Sequence, residues 1–207
     1  MASAKTQSIF KAAIDLFSER GFEKATMDEI ASRAHVAKGT IYYHFKSKEE
    51  LFSFLVQEGT KLLHESVLSK VNPRKTPTEQ IETIIREQLR FFDHYRDFCV
   101  ILLREAWGDD VRQREFRRML VHYVHAIEQI MRAGIESEEF LYTKAETGAW
   151  SIFGSISMAA LHHIFSEPDM DLLLLAPDLT RMILKGMVSQ ITKDAESLVD
   201  EAPRKAQ

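Results

Sequence analysis

Apolar residues recur along this chain at helical spacing. In the first segment, Ile9, Ala12, Ala13, Leu16 and Phe17 follow the i, i+3, i+4, i+7, i+8 rhythm of one buried helix face, from about residue 4 to Arg20. Gly21 stops that helix, and Phe22 is spaced to fold back on Phe17. Met27, Ile30, Ala31 and Ala34 mark a second, short helix, and Ile41 and Phe45 a third over about 38–45. Longer runs of the same period predict helices from about 48 to 69, 77 to 95, 98 to 107, 110 to 135, 144 to 165 and 177 to 192. No stretch alternates with the period of a strand, so the fold class is all-α with about nine helices.

Polar punctuation agrees with this reading. "TMDE" at 26–29, "SKEE" at 47–50 and "TPTE" at 76–79 are spaced as capping boxes, in which a hydroxyl and a carboxylate three residues on satisfy each other's orphan amides. Pro77 adds the preferred first helical residue. The second and third helices are each too short to stand alone and are joined by a tight turn, "HVA" at 35–37. The third helix is unusual. In "KGTIYYHFKSK", residues 38–48, Ile41 and Phe45 account for the inner face, which leaves two adjacent tyrosines outside among basic side chains. Two short helices across a tight turn, the second basic and aromatic, make a helix-turn-helix whose second helix enters the DNA major groove. A phenol donates to phosphate, and its ring packs on sugar or a thymine methyl.

Charge sharpens the picture. The net charge of −4 by itself speaks against nucleic acid, but residues 1–48 carry eight Lys/Arg against five Asp/Glu, so the acidity lies in the remainder. One cysteine, Cys99, excludes an internal disulfide, fits a reducing cytoplasm and reads as a small buried apolar residue. Residues 147–166 hold no Asp, Glu, Lys or Arg, yet their serines and paired histidines, His162 and His163, suit a buried helix at a protein interface better than a membrane span.

At this point a resemblance is plain. "FSERGFEKATMDEIASRAHVAKGTIYYHFKSKEELF", residues 17–52, strongly resembles the DNA-binding domain of TetR-family transcriptional regulators. The resemblance implies a dimeric, all-helical repressor with a helix-turn-helix DNA-binding domain at 1–48 and a helical ligand-binding and dimerisation domain at 49–207. By position it implies that Thr26 and Lys48 hold phosphates at two helix N-termini. It makes Lys38, Gly39, Thr40, Tyr42, Tyr43 and His44 the groove-facing surface. Two residues depart from the family's pattern: His35 stands where glycine is usual in the turn, and Ala37 replaces a common capping serine.

In the body, small and apolar residues on several sides of the helices at 144–165 and 177–192 suggest a two-fold four-helix interface. An effector pocket between helices is expected from the family layout, with Phe91, Phe92, Tyr95, Trp107, Tyr123, Trp150 and Phe153 as its candidate lining. "LLREAWGDD" at 102–110 resembles the regulators of fatty-acid metabolism, so a fatty acyl-CoA or similar lipid is the expected effector, a hydrophobic drug-like compound the next. No cofactor or metal is expected: His122 and His125 share a helix, but no cysteine cluster or HExxH accompanies them. Nor is there a phosphate loop or nucleophile elbow to suggest an enzyme. The expected partners are double-stranded DNA with a palindromic operator, a small hydrophobic effector and a second copy of the chain, in the cytoplasm and without a membrane. The alternative is a helical interaction module whose basic N-terminal helices bind an acidic protein.

Overall fold

The computed structural model describes residues 4–105, 110–141 and 144–188. These form nine α-helices: α1 (Ala4–Arg20), α2 (Met27–Arg33), α3 (Lys38–His44), α4 (Lys48–Leu68), α5 (Pro77–His94), α6 (Arg96–Glu105), α7 (Asp110–Glu136), α8 (Ala145–Ser166) and α9 (Ala176–Val188). A 3₁₀ turn over Leu172–Leu175 leads into α9. That turn is absent from the sequence reading, because four leucines are too short a run to show a period. The stretch after Val188 predicted to continue the last helix lies outside the described residues.

The N-terminal helices bury the faces that their period predicts. Ile9, Ala12, Ala13, Leu16 and Phe17 of α1 are all buried, as are Met27, Ile30, Ala31 and Ala34 in and just after α2, and Ile41 and Phe45 at α3. Gly21 closes α1 at φ 79°, a left-handed conformation that glycine reaches without steric cost. Phe22 then packs on Phe17 with ring centroids 5.5 Å apart, and both meet Phe52 of α4. The capping boxes at Thr26 and Thr76 are complete. The third is half built: Ser47 accepts from the Glu50 amide, but the Glu50 carboxylate takes the Lys46 N–H instead of that of Ser47.

In the body, α5 lies between α4, α7 and α8, and α7 and α8 pack along one another as a hairpin. One continuous apolar core runs from α1 to α9. Arg96, at the start of α6, fastens the α8–α9 connection: its guanidinium donates to the carbonyls of Pro168 and Met170 and to Asp93, whose carboxylate also accepts the Leu172 N–H. Among the described residues no helix is long and apolar enough to cross a membrane, α8 included, although residues 147–166 of it hold no Asp, Glu, Lys or Arg.

Candidate nucleic-acid interface and body cavity

The α2–α3 unit is held by local chemistry. His35 occupies the turn at φ 54°, the left-handed conformation that its departure from glycine anticipates. Ala37 is the N-cap of α3 and supplies no side-chain hydrogen bond. Ion pairs fasten α2 to α1: Arg33 grips the Glu19 carboxylate with two bonds of 2.6 and 2.9 Å, and Arg20 reaches Glu29 at 2.8 Å. The Arg33 hydrogen bond holds the Glu19 carboxyl below the usual carboxylate range. Bonds from the Thr26 hydroxyl and amide, aided by Arg20, do the same for Glu29. Whatever these ionised groups contribute to folding is present above the ordinary glutamate range and lost as pH falls through their lowered values.

With its inner face packed, α3 turns its remaining side chains outward. Tyr43 is 85% exposed and Tyr42 42% exposed, at positions that the helical period turns to solvent. Lys38 and Gly39 are also exposed, while Thr40 and His44 are half-buried, with the His44 ring against Tyr43 and Phe45. Lys38 is not idle: its ammonium pairs with Asp28 at 2.6 Å and lies 5.9 Å from the Tyr42 ring. Thr26 is exposed, but its hydroxyl and amide both engage Glu29.

Lys48 departs from the sequence expectation. Its ammonium donates to the carbonyls of Phe22, Glu23 and Ala25 at 2.7, 3.1 and 3.0 Å and lies 4.4 Å from the Phe22 ring. An ammonium has three donors, and all three are engaged within the α1–α2 connection rather than held out for a phosphate. Lys24, beside the start of α2, and Lys46, beside the start of α4, are exposed basic groups that the sequence reading did not single out. Among the described residues neither has an acidic partner.

An added Cβ at Gly39 would meet nothing within 4 Å. Gly39→Ala should therefore raise thermal stability by up to about 1 kcal/mol, because alanine is the better helix former. The same methyl points away from the fold, and it should weaken operator binding about tenfold or more by holding the backbone off the groove. Unfolding and fluorescence titration on one preparation measure both; unchanged operator affinity would remove Gly39 from the interface.

A second feature lies in the body. A small apolar cavity of about 20 Å³ is lined by Gly59, Thr60 and Leu63 of α4, Phe91 and Phe92 of α5, Cys99 and Leu102 of α6, Leu120 of α7 and Phe153 of α8. Of the residues anticipated from sequence, Phe91, Phe92 and Phe153 line it. Tyr95 stacks behind Phe91, Trp150 sits edge-on to Phe153, and Tyr123 is buried beside Phe153; these three stand one layer back. Trp107 lies outside the described residues. The α4 and α6 contributors escaped sequence reading because aliphatic residues and a glycine at core spacing give no sign of a cavity.

The cavity is joined to the α3 surface by contact. Next to Cys99, Phe98 presses its ring onto α4 at Gly59, where an added Cβ would lie 1.6 Å from it. Phe98 stacks on Phe10 of α1 at 6.5 Å, Phe10 meets Phe54 of α4 at 6.3 Å, and Phe54 meets Phe45, the C-cap of α3, at 5.2 Å. Elsewhere in the body, α8 and α9 expose Met158 (58%), Phe165 (61%) and Met182 (58%), and a groove of about 180 Å³ between these two helices is lined by Met182 and by small residues such as Gly148, Ser151, Ser155 and Gly186.

Comparison with known proteins agrees with this geometry. Residues 9–54 match the model of bacterial regulatory proteins of the tetR family, and residues 74–161 match a tetracyclin repressor-like C-terminal domain. The fatty acid metabolism regulator protein of Bacillus subtilis is 23% identical over 185 residues, 88% of this chain and 95% of the relative. Among solved structures, a Clostridium perfringens protein described as a fatty acid metabolism regulator is 33% identical with a TM-score of 0.80, covering 88% of this chain and all of the other. The transcriptional regulator FadR from Bacillus subtilis, in complex with stearoyl-CoA, has the same fold, at 22% identity, a TM-score of 0.80 and 90% and 99% coverage. With an exposed basic and aromatic third helix, an apolar cavity between body helices and these matches, the chain belongs to the TetR family of bacterial regulatory proteins and is a DNA-binding transcriptional regulator.

Proposed function

We propose that the protein is a cytoplasmic homodimeric repressor, bound through α3 of residues 1–48 to a palindromic operator and released by a fatty acyl-CoA held in the body. The observation that carries the reading is shared use of α6: Cys99 and Leu102 wall the cavity, while Phe98, beside Cys99, stacks on the first helix of the DNA-binding unit.

At about 20 Å³ the cavity has room for little more than one water. A long acyl chain needs a site of roughly several hundred Å³. An effector therefore binds a state in which the helices around the cavity have parted, and it draws the population toward that state. Turning a mixture that is about 99% closed into one about 99% open needs roughly 10⁴-fold tighter binding to the open state. Parting α6 from α4 moves Phe98 against Phe10, Phe54 and Phe45, and so re-aims α3.

Exposed apolar residues on α8 and α9, beside a groove between these helices, support self-association. A two-fold axis brings the same patch of each copy together, so that bulky residues such as Phe165 face grooves floored by small ones. Two copies of α3 then meet successive major grooves about 34–36 Å apart. Within each groove, Lys38, Thr40, Tyr42, Tyr43 and His44 face the DNA, with Lys24, Thr26 and Lys46 near the phosphates.

Selection of duplexes from a random pool at near-physiological salt tests the reading. The expected result is an enriched palindrome whose half-sites lie one helical turn apart and whose complex stearoyl-CoA dissociates. Enrichment without release would remove the acyl-CoA; no enrichment would remove the operator itself.

A further inference from the structure

Behind the apolar cavity lies a polar cluster that a plain hydrophobic pocket does not need. Gln88 of α5, Tyr123 of α7 and Ser157 of α8 are 0%, 1% and 2% exposed. The Tyr123 hydroxyl donates to the Gln88 amide oxygen at 2.9 Å, and the Gln88 amide nitrogen donates to Ser157 Oγ at 3.3 Å. Each residue sits one helical turn from a cavity-lining residue on its own helix: Gln88 from Phe91 and Phe92, Tyr123 from Leu120, Ser157 from Phe153. The Phe153 ring both lines the cavity and meets the Tyr123 ring at 6.0 Å, so the cluster begins where the apolar wall ends.

We propose that Gln88, Tyr123 and Ser157 recognise a neutral carbonyl oxygen of the effector, the thioester carbonyl of an acyl-CoA; the assignment rests on the effector reading above. A glutamine amide has two polar hydrogens, a tyrosine one and a serine one. Two of these four are engaged within the cluster, and among the described residues no acceptor is placed for the other two. Reversing the Gln88 amide changes which hydrogens are engaged but not how many remain. Buried donors without an acceptor are costly, so native networks of this kind are ordinarily completed. Thr60, the other buried polar side chain at the cavity, donates to the Val56 carbonyl at 2.7 Å and leaves nothing to complete.

Two unengaged donors match the two lone pairs of one carbonyl oxygen. They do not suit a carboxylate, because no cationic side chain lines the cavity among the described residues and a buried anion needs a charged partner. Burial also pushes the Tyr123 phenol well above its ordinary value, so it stays a donor throughout the physiological range. The cluster therefore selects the thioester over the free fatty acid.

The test is calorimetric titration of the full chain with stearoyl-CoA and with its S-octadecyl thioether analogue, in which a methylene replaces the carbonyl. The wild type should bind the thioester about five- to tenfold more tightly, the worth of one completed hydrogen-bonding site. In Gln88→Leu/Tyr123→Phe/Ser157→Ala that preference should fall to within about twofold. Ser157→Ala alone, which removes one oxygen atom and leaves the surrounding side chains in place, should fall between, with operator binding confirming that each variant is folded. Equal affinity of the wild type for the two ligands, or a preference that survives in the variants, would overturn the assignment alone. If neither ligand bound the wild type, the acyl-CoA reading would fail and the assignment with it.

Discussion

Gly59→Ala should lower stability by about 1–3 kcal/mol and weaken operator binding more than tenfold without any effector. The stability estimate follows from the Phe98 ring, which lies where the new methyl must go, 1.6 Å from the Cβ position, and which is itself only 4% exposed. A ring packed on all sides cannot retreat at no cost, since interiors fill space as densely as crystals. It has to slide off α4, and the residues it slides against are Phe10 and, through it, Phe54 and Phe45. On the proposed mechanism this is the displacement an effector produces from the other side of α6, so the variant imitates the effector. Shortening the ring tests the cause: Gly59→Ala/Phe98→Leu should recover most of both losses, a coupling that appears as non-additivity in a double-mutant cycle. Thermal unfolding and operator titration of the four proteins decide it. Full operator affinity in Gly59→Ala would show that α6 can move without moving α3.

How much of this was legible beforehand follows from what a sequence pattern encodes. The period of Ile9, Ala13, Leu16 and Phe17 records burial of one face, and those faces are buried. "KGTIYYHF" was informative for the opposite reason: two tyrosines placed where the period demands solvent need a cause outside the fold, and both are exposed. Periodicity says which residues are inside but not what they leave between them. In the sequence Phe91, Phe92 and Phe153 are aromatics on body helices, and so are Tyr95 and Trp150; only the meeting of α4, α5, α6, α7 and α8 separates the two groups. Gly59 carried no signal, because a helical glycine reads as a weak helix former until the ring it admits, Phe98 from 39 residues on, is known. The Gln88, Tyr123 and Ser157 cluster is likewise invisible in sequence, since its members lie 35 and 69 residues from Gln88.

Replacement of Lys48 has the second large expected effect. A lysine in the first turn of a helix opposes the helix dipole, and a bound phosphate is the obvious remedy. Here the side chain turns instead to three carbonyls that close the α1–α2 connection, and its stem covers the Phe22 ring. Lys48→Met keeps that apolar cover and removes the charge-assisted bonds. Hydrogen bonds to a charged group are each worth about 1.5–3 kcal/mol when buried. These are only partly buried and water can replace some of them, so the loss should be about 2 kcal/mol, or about 4–8 °C in melting temperature for a chain of this size. Operator affinity should fall as well, because the loosened segment runs directly into Thr26 and the start of α2. The salt dependence separates a strut from a phosphate ligand. Losing a phosphate contact lowers the slope of log affinity against log salt by about one. Losing a strut leaves the slope as it was, since the contacts that release counterions remain. The expected result is weaker binding at an unchanged slope, and a slope reduced by one would return Lys48 to the DNA.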